Sequence, residues 1–226
     1  MLDLLPADLG RPLRVLAVGA HPDDVNVGAG GTVLLLVDQR PDTEVDVVVL
    51  TGTAECAAEA RAAADLFLAG ARHTVTVHDL PDGRLPAHWD AVKQVLEDHA
   101  AAAPRPDLVI GPGPDDSHQD HRLIAELLPT VFRGVLTLGY EIPKWDGDLG
   151  RRPVYVALDP ATARRKAELL AASYPSQRGR AWYDDEVFLG LARLRGVECS
   201  SSYAEAFSCA KAVLAFAPTT PERPGA

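Results

Sequence analysis

The chain reads as a single α/β domain: a mostly parallel, doubly wound, Rossmann-like sheet covered by helices on both faces. Three observations predict it. Short apolar runs such as Val15-Leu16-Ala17-Val18 and Leu108-Val109-Ile110 alternate with alanine- and leucine-rich helical stretches, the rhythm of βαβ units. The chain has 226 residues, 47% of them hydrophobic, enough for one sizeable core. Segments rich in glycine, proline and aspartate directly follow two of the apolar runs, where open sheets present their chemistry.

Taken in order, largely apolar runs give strands near 14–19, 45–50, 107–111 and 134–139, and the alternating Thr74-Val75-Thr76-Val77 gives another near 74–78. Helices are expected near 30–38, 56–69, 90–102, 118–131 and 160–173; the spacing of Leu123, Ile124, Leu127 and Leu128 makes the fourth amphipathic. Residues 143–153 read as a surface loop, and Val154 to Leu158 as a returning strand. The domain is expected over 1–216, with 217–226, carrying three prolines, as a flexible tail.

A net charge of −10, from 22 basic against 32 acidic residues, argues against binding a phosphate backbone, so nucleic acid is not an expected partner. Cys56, Cys199 and Cys209 form no C-x-x-C pair and read as free thiols in a reducing compartment. The start Met1-Leu2-Asp3-Leu4-Leu5-Pro6 lacks the charge and apolar length of a signal peptide, and no stretch approaches a membrane span. A cytoplasmic protein with a small-molecule partner, no membrane and an open question of homo-oligomers is the expectation.

The chemistry concentrates in two places. Gly19-Ala20-His21-Pro22-Asp23-Asp24 puts an imidazole and two carboxylates at the tip of the first strand. His21 and Asp24 can turn toward one divalent ion, leaving Asp23 beside it. About a hundred residues later Asp115-Asp116-Ser117-His118-Gln119-Asp120-His121 follows another strand. His118 and His121, three apart at a helix start, share a face, so one can bind metal while the other meets substrate. Gly28-Ala29-Gly30-Gly31 fails the G-x-G-x-x-G dinucleotide pattern at Val33, and reads instead as letting a helix pack close beneath the metal loop.

These motifs resemble those of the LmbE-like, or PIG-L-like, zinc-dependent N-deacetylases, which include bacillithiol, mycothiol and glycosylphosphatidylinositol biosynthetic enzymes. The family's A-H-P-D-D and H-x-D-H stand here as Ala20 to Asp24 and His118 to His121, with weaker matches at Arg61, Leu80 to Leu85, Tyr140 to Pro143, Lys166, Ser176-Gln177 and Tyr203 to Phe207. The resemblance implies that His21, Asp24 and His121 hold Zn2+, with Fe2+ an alternative, that Asp23 is the general base, and that His118, oriented by Asp120, polarises the acyl carbonyl. It also makes Arg61 a substrate contact, while Asp82, in the turn after the 74–78 strand, lies at a third strand tip where it can meet a substrate hydroxyl. Asp116, one of two aspartates just before His118, joins them as an expected rim residue. On residue type alone Arg61 is a solvated helix arginine and Asp82 a turn former.

Two positions depart from the pattern. Val25 and Asn26 stand where the family usually carries a glutamate, and Asp116-Ser117 where some relatives place a mobile aromatic. The implied function is removal of an acetyl or small acyl group from an N-acylated sugar, pseudo-sugar or glycoside. Alternatives are a metal-dependent amidase acting on a thiol conjugate or acylated amino acid, and a non-catalytic metal- or ligand-binding descendant.

Overall fold

A computed structural model describes residues 9–213; the segment 217–226, expected as a tail, lies outside them. Five strands, β1 (Arg14–Gly19), β2 (Glu44–Val49), β3 (Arg72–Val77), β4 (Leu108–Pro112) and β5 (Leu136–Tyr140), form one parallel sheet in the order β3-β2-β1-β4-β5. Strands β1 and β4 sit inside it and are almost wholly buried, so their sequences are apolar without alternation. Strand β3 is an edge, and alternates.

Helices α1 (Asp24–Gln39) and α2 (Ala54–Phe67) link β1, β2 and β3; α3 (Trp89–Ala102) and α4 (Gln119–Val131) serve β4 and β5. One core cluster joins the sheet to α1, α2 and α5 (Pro160–Ser173), with Phe67, Leu170 and Tyr174 in it. A second joins it to α3 and α4 through Leu96, Ile124, Leu127 and Leu128. The sheet is therefore doubly wound, and the direction of winding reverses between β1 and β4. A crevice opens at that switch point, beyond the carboxyl ends of both strands.

The first helix begins at Asp24, not near residue 30, and the glycine-rich segment lies inside it. Its glycines admit neighbours. A Cβ on Gly28 would lie 2.4 Å from the Tyr140 ring, and one on Gly30 2.7 Å from Phe67. At Gly31 the backbone N–H donates to Glu205 Oε1 at 2.8 Å, and Thr32 N–H donates to Glu205 Oε2 at 2.6 Å. Lys166 Nζ bridges the Val27 carbonyl and Glu205 Oε1, both at 2.6 Å. A buried ion pair thus reads the backbone of the helix that follows the His21–Asp23 loop. Removing one partner would leave an uncompensated buried charge, a loss of about 3–5 kcal/mol.

The returning strand β6 (Val154–Leu158) forms, but outside the main sheet: it pairs antiparallel with β7 (Tyr203–Phe207), which follows α6 (Asp185–Glu198). Neither α6 nor β7 was expected from the sequence pattern. Helix α6 has little amphipathic contrast because Arg195 is buried, held by Glu141 at 2.7 Å on both oxygens. Among the described residues no helix is long and apolar enough to cross a membrane.

Candidate active site

The loop after β1 turns at once into α1. Asp23 occupies the N-cap position yet makes no side-chain capping bond, and Asp24 is the first helical residue. The Asp24 carboxylate folds back, and its Oδ2 accepts from the His21 backbone N–H at 2.8 Å. The loop after β4 does the corresponding work for α4: His118 caps the helix and His121 lies one turn in, 2% exposed.

Three donor atoms meet across the switch point. His21 Nδ1 and His121 Nε2 are 3.2 Å apart, His21 Nδ1 and Asp24 Oδ2 3.4 Å, and His121 Nε2 and Asp24 Oδ2 3.2 Å. Ligands placed tetrahedrally at about 2.0–2.1 Å from a zinc-sized ion stand about 3.3–3.4 Å apart. Two imidazole nitrogens and one carboxylate oxygen in such a triangle fit a catalytic divalent site with a position open on the cavity side. His118 is near, since nitrogens of His21, His118 and His121 fall within 4.8 Å of one another, but the tighter triangle includes Asp24 in its place.

Each imidazole of the triangle is held from behind. His121 Nδ1 is 2.7 Å from Asp116 Oδ2, and His21 Nε2 is 3.0 Å from Asp82 Oδ1. Such carboxylates fix ring orientation and leave the other nitrogen to bind an ion. Burial works against charge on His21, but Asp24, Asp120 and Asp82 outweigh it and push the imidazole up to about 12; His121 is likewise pushed up to about 9 by Asp24 and Asp116. Burial, then the Asp24 charge, push Asp23 up to about 6.

Asp116 does not rim the mouth as expected. It is 6% exposed, with Oδ2 on His121 and Oδ1 accepting from the His118 backbone N–H at 2.8 Å and from Lys144 Nζ at 2.9 Å. Burial would raise its carboxyl, but the His121 and Lys144 partners win and hold it down at about 2. The reason is geometric: the turn after β4 folds Asp116 under the helix start. Its neighbour Asp115 is turned to Arg152 Nη1 at 2.6 Å.

Asp120 also differs from expectation. Its carboxylate is fully buried and accepts from Gly83 and Leu85 N–H at 2.8 and 3.0 Å, so it fixes the loop that carries Asp82 and does not touch His118. Only the Asp120 backbone N–H reaches His118, donating to Nδ1 at 3.3 Å. The neutral ring therefore carries its proton on Nε2. Burial, followed by the charges of His121 and His21, lowers the His118 pKa, so it is a neutral donor and not the imidazolium that a neighbouring carboxylate would favour.

Arg61 is exposed on α2 and is absent from the cavity wall; the cleft-facing residues of that helix are Cys56 and Glu59, and Arg61 lies about 200° round from Glu59. Asp82, 75% exposed in its side chain, does line the cavity, with one oxygen committed to His21. Asn26 is buried, its Nδ2 donating to the Tyr174 hydroxyl at 2.7 Å, and that hydroxyl donates to the Pro22 carbonyl at 3.0 Å. The departure at residue 26 thus braces the His21–Asp23 loop through Tyr174.

The cavity of about 660 Å³ contains His21, Asp23, Asp24, His118 and His121 at its inner end. Lys144, Trp145, Arg180 and Trp182 line it too, and none of them belongs to a motif of the sequence. They lie on irregular loops, 141–153 and 178–184, where no periodicity announces which side chain faces inward.

Solved structures share this architecture. A conserved protein from Thermus thermophilus, TT1542, superposes with a TM-score of 0.69 at 22% identity, over 92% of this chain and 100% of its own. The 4-carboxy-2-hydroxymuconate hydratase GalB from Pseudomonas putida KT2440 gives 0.68 at 18% identity, over 92% and 100%. The N,N′-diacetylchitobiose deacetylase from Pyrococcus horikoshii gives 0.60 at 20%, over 87% and 83%. At these identities the likeness is one of fold. Residues 16–132, which contain both histidine-aspartate motifs, match the PIG-L model described as GlcNAc-PI de-N-acetylase, and the chain belongs to that family.

Proposed function

We propose that the chain is a zinc-dependent amidohydrolase that removes an acetyl or small acyl group from the amine of an N-acylated sugar, pseudo-sugar or glycoside. The observation that carries this reading is the triangle of His21, Asp24 and His121 with Asp23 and His118 on the wall of the same cavity. Zn2+ held there, or Fe2+ in its place, would acidify a water and polarise the acyl carbonyl.

Asp23, free of any helix-capping duty, takes a proton from the attacking water and returns it to the departing amine. The C–O bond forms first, moving the carbonyl electron pair onto the acyl oxygen; the C–N bond breaks as that tetrahedral species collapses onto the protonated amine, giving carboxylic acid and free amine. His118, with its proton on Nε2, donates to the acyl oxygen as negative charge builds there. Asp82 and Asp116 hold the two ligand imidazoles, and Asp120 holds Asp82 through the 83–85 loop.

The test is acetate and amine release by the zinc-loaded chain from a panel of N-acetyl sugars, with an N-acetyl amino acid and an N-acetylated thiol conjugate alongside. One equivalent each of acetate and primary amine from a sugar is expected. Measuring the amine matters because a hydratase shares the fold, and adding water to a double bond frees none. Zinc binding without product from any arm would overturn the reading.

A further inference from the structure

We infer that Trp145 and Trp182 form a second subsite, which seats a flat-faced ring joined to the N-acylated unit; this rests on the deacetylase reading of the metal end. Both indoles line the same cavity as the histidine cluster, yet come from different loops. Their ring centroids are 6.0 Å apart at an interplanar angle of 69°, so they make a corner of two apolar walls. Trp145 is 70% exposed, an amount of bare indole that packing within the described residues does not cover.

The corner is held rigidly. Trp182 packs edge to face on Tyr183 at 5.4 Å, and Tyr183 on the buried Phe188 at 5.1 Å, a chain that ends in the core. On the other side Lys144, the neighbour of Trp145, is tied to Asp116 at 2.9 Å, and Asp116 holds His121. The shelf therefore keeps a fixed relation to the metal end. A cavity of about 660 Å³ is within the roughly 300–1,000 Å³ that encloses a multi-ring ligand, and exceeds the needs of one acetylated sugar.

The negative face of an indole favours the C–H face of a pyranose or the edge of an aromatic ring, and both sources offer that same chemistry. Charge does not dictate the choice, since Asp146 and Arg180 both flank the shelf. The subsite acts on the part of the substrate that does not react, so its contribution falls mainly on KM.

The zinc-loaded chain and its Trp145→Ala and Trp145→Phe variants would be assayed on N-acetylglucosamine, N,N′-diacetylchitobiose and phenyl N-acetyl-β-glucosaminide. Trp145 is chosen because its exposure spares the core. The expected result is a kcat/KM for at least one two-ring substrate roughly tenfold above that for the monosaccharide, lowered toward parity in Trp145→Ala and partly kept in Trp145→Phe. Preference for chitobiose marks a sugar face, preference for the phenyl glycoside an aromatic one. Equal kcat/KM across the three, or a ratio unmoved by Trp145→Ala, overturns the subsite while leaving deacetylation intact. Binding of phenyl β-glucosaminide, the deacylated amine, is read in parallel by calorimetry. If no substrate releases acetate but this ligand binds and Trp145→Ala weakens it, the subsite stands and the deacetylase reading falls; if neither is seen, both fall.

Discussion

The two ends of the cavity are built differently. At the inner end, side chains come from strand tips and first helical turns, and Asp116, Asp120 and His121 are 6%, 0% and 2% exposed, with Asp82, which holds His21, the exposed exception. At the outer end the wall is loop, with Trp145 70% exposed and Arg180 also open to solvent. At the inner end Asp24, Asp116, Asp120, His21 and His121 are all hydrogen-bonded within the chain, whereas the outer end offers the exposed face of Trp145. Fixed donors suit a reaction that needs reproducible geometry, and open loops suit a substrate that contributes its own contacts.

The comparison is broken most severely at the ligands. His21→Ala, Asp24→Ala and His121→Ala should each bind less than a tenth of the wild-type zinc after dialysis and release no measurable acetate, because each removes one corner of the donor triangle. Full zinc content and normal turnover in His121→Ala would show that the triangle is not the site.

Next in size is the base. Asp23→Asn should keep metal and fold but lose roughly 10²–10⁴ in kcat, since an amide cannot take the water's proton. In the wild type, activity needs the ionised carboxylate, so the rate should fall as pH drops through the Asp23 pKa. Burial and Asp24 push that value up to about 6, and a bound cation would only lower it, which places the acidic limb at or below about pH 6. A limb well above pH 7 would point to a different base.

Asp116→Asn sharpens the distinction between holding a ligand and touching substrate. Because Asp116 sits behind His121, the variant should weaken zinc affinity roughly 10- to 100-fold, read by chelator competition. A raised KM at saturating zinc, with affinity for the metal unchanged, would restore Asp116 to the substrate wall. Arg61→Ala should do least: on the solvent face of α2, away from the cavity, it should change stability by about 0.5 kcal/mol or less and leave kcat/KM as it was.

Much of the inner end was legible in the residues. Motifs that follow strands are local, so Ala20 to Asp24 and His118 to His121 could be placed at strand ends, and two strand ends of a doubly wound sheet meet at the switch point. What escaped was orientation within those motifs. Asp115 and Asp116 are adjacent and chemically identical, yet one faces Arg152 and the other His121. Asp120 stands two residues from His118 in the sequence, but its oxygens accept from the backbone N–H groups of Gly83 and Leu85. A carboxylate answers whichever donor the fold brings within hydrogen-bonding reach, and sequence distance does not measure that.

By itself the sequence determined the alternation of buried strands and helices, the doubly wound class and the two clusters of ligating and acid–base side chains, because hydrophobic period and short motifs act within a few residues. Only the tertiary structure decided that the glycines of α1 admit the Lys166–Glu205 pair, that β6 leaves the main sheet to pair with β7, and that Trp145 and Trp182 share a wall of the cavity. Those contacts join residues 37 to 174 positions apart. Their energies depend on packing that exists only once the sheet and its helices have closed around them.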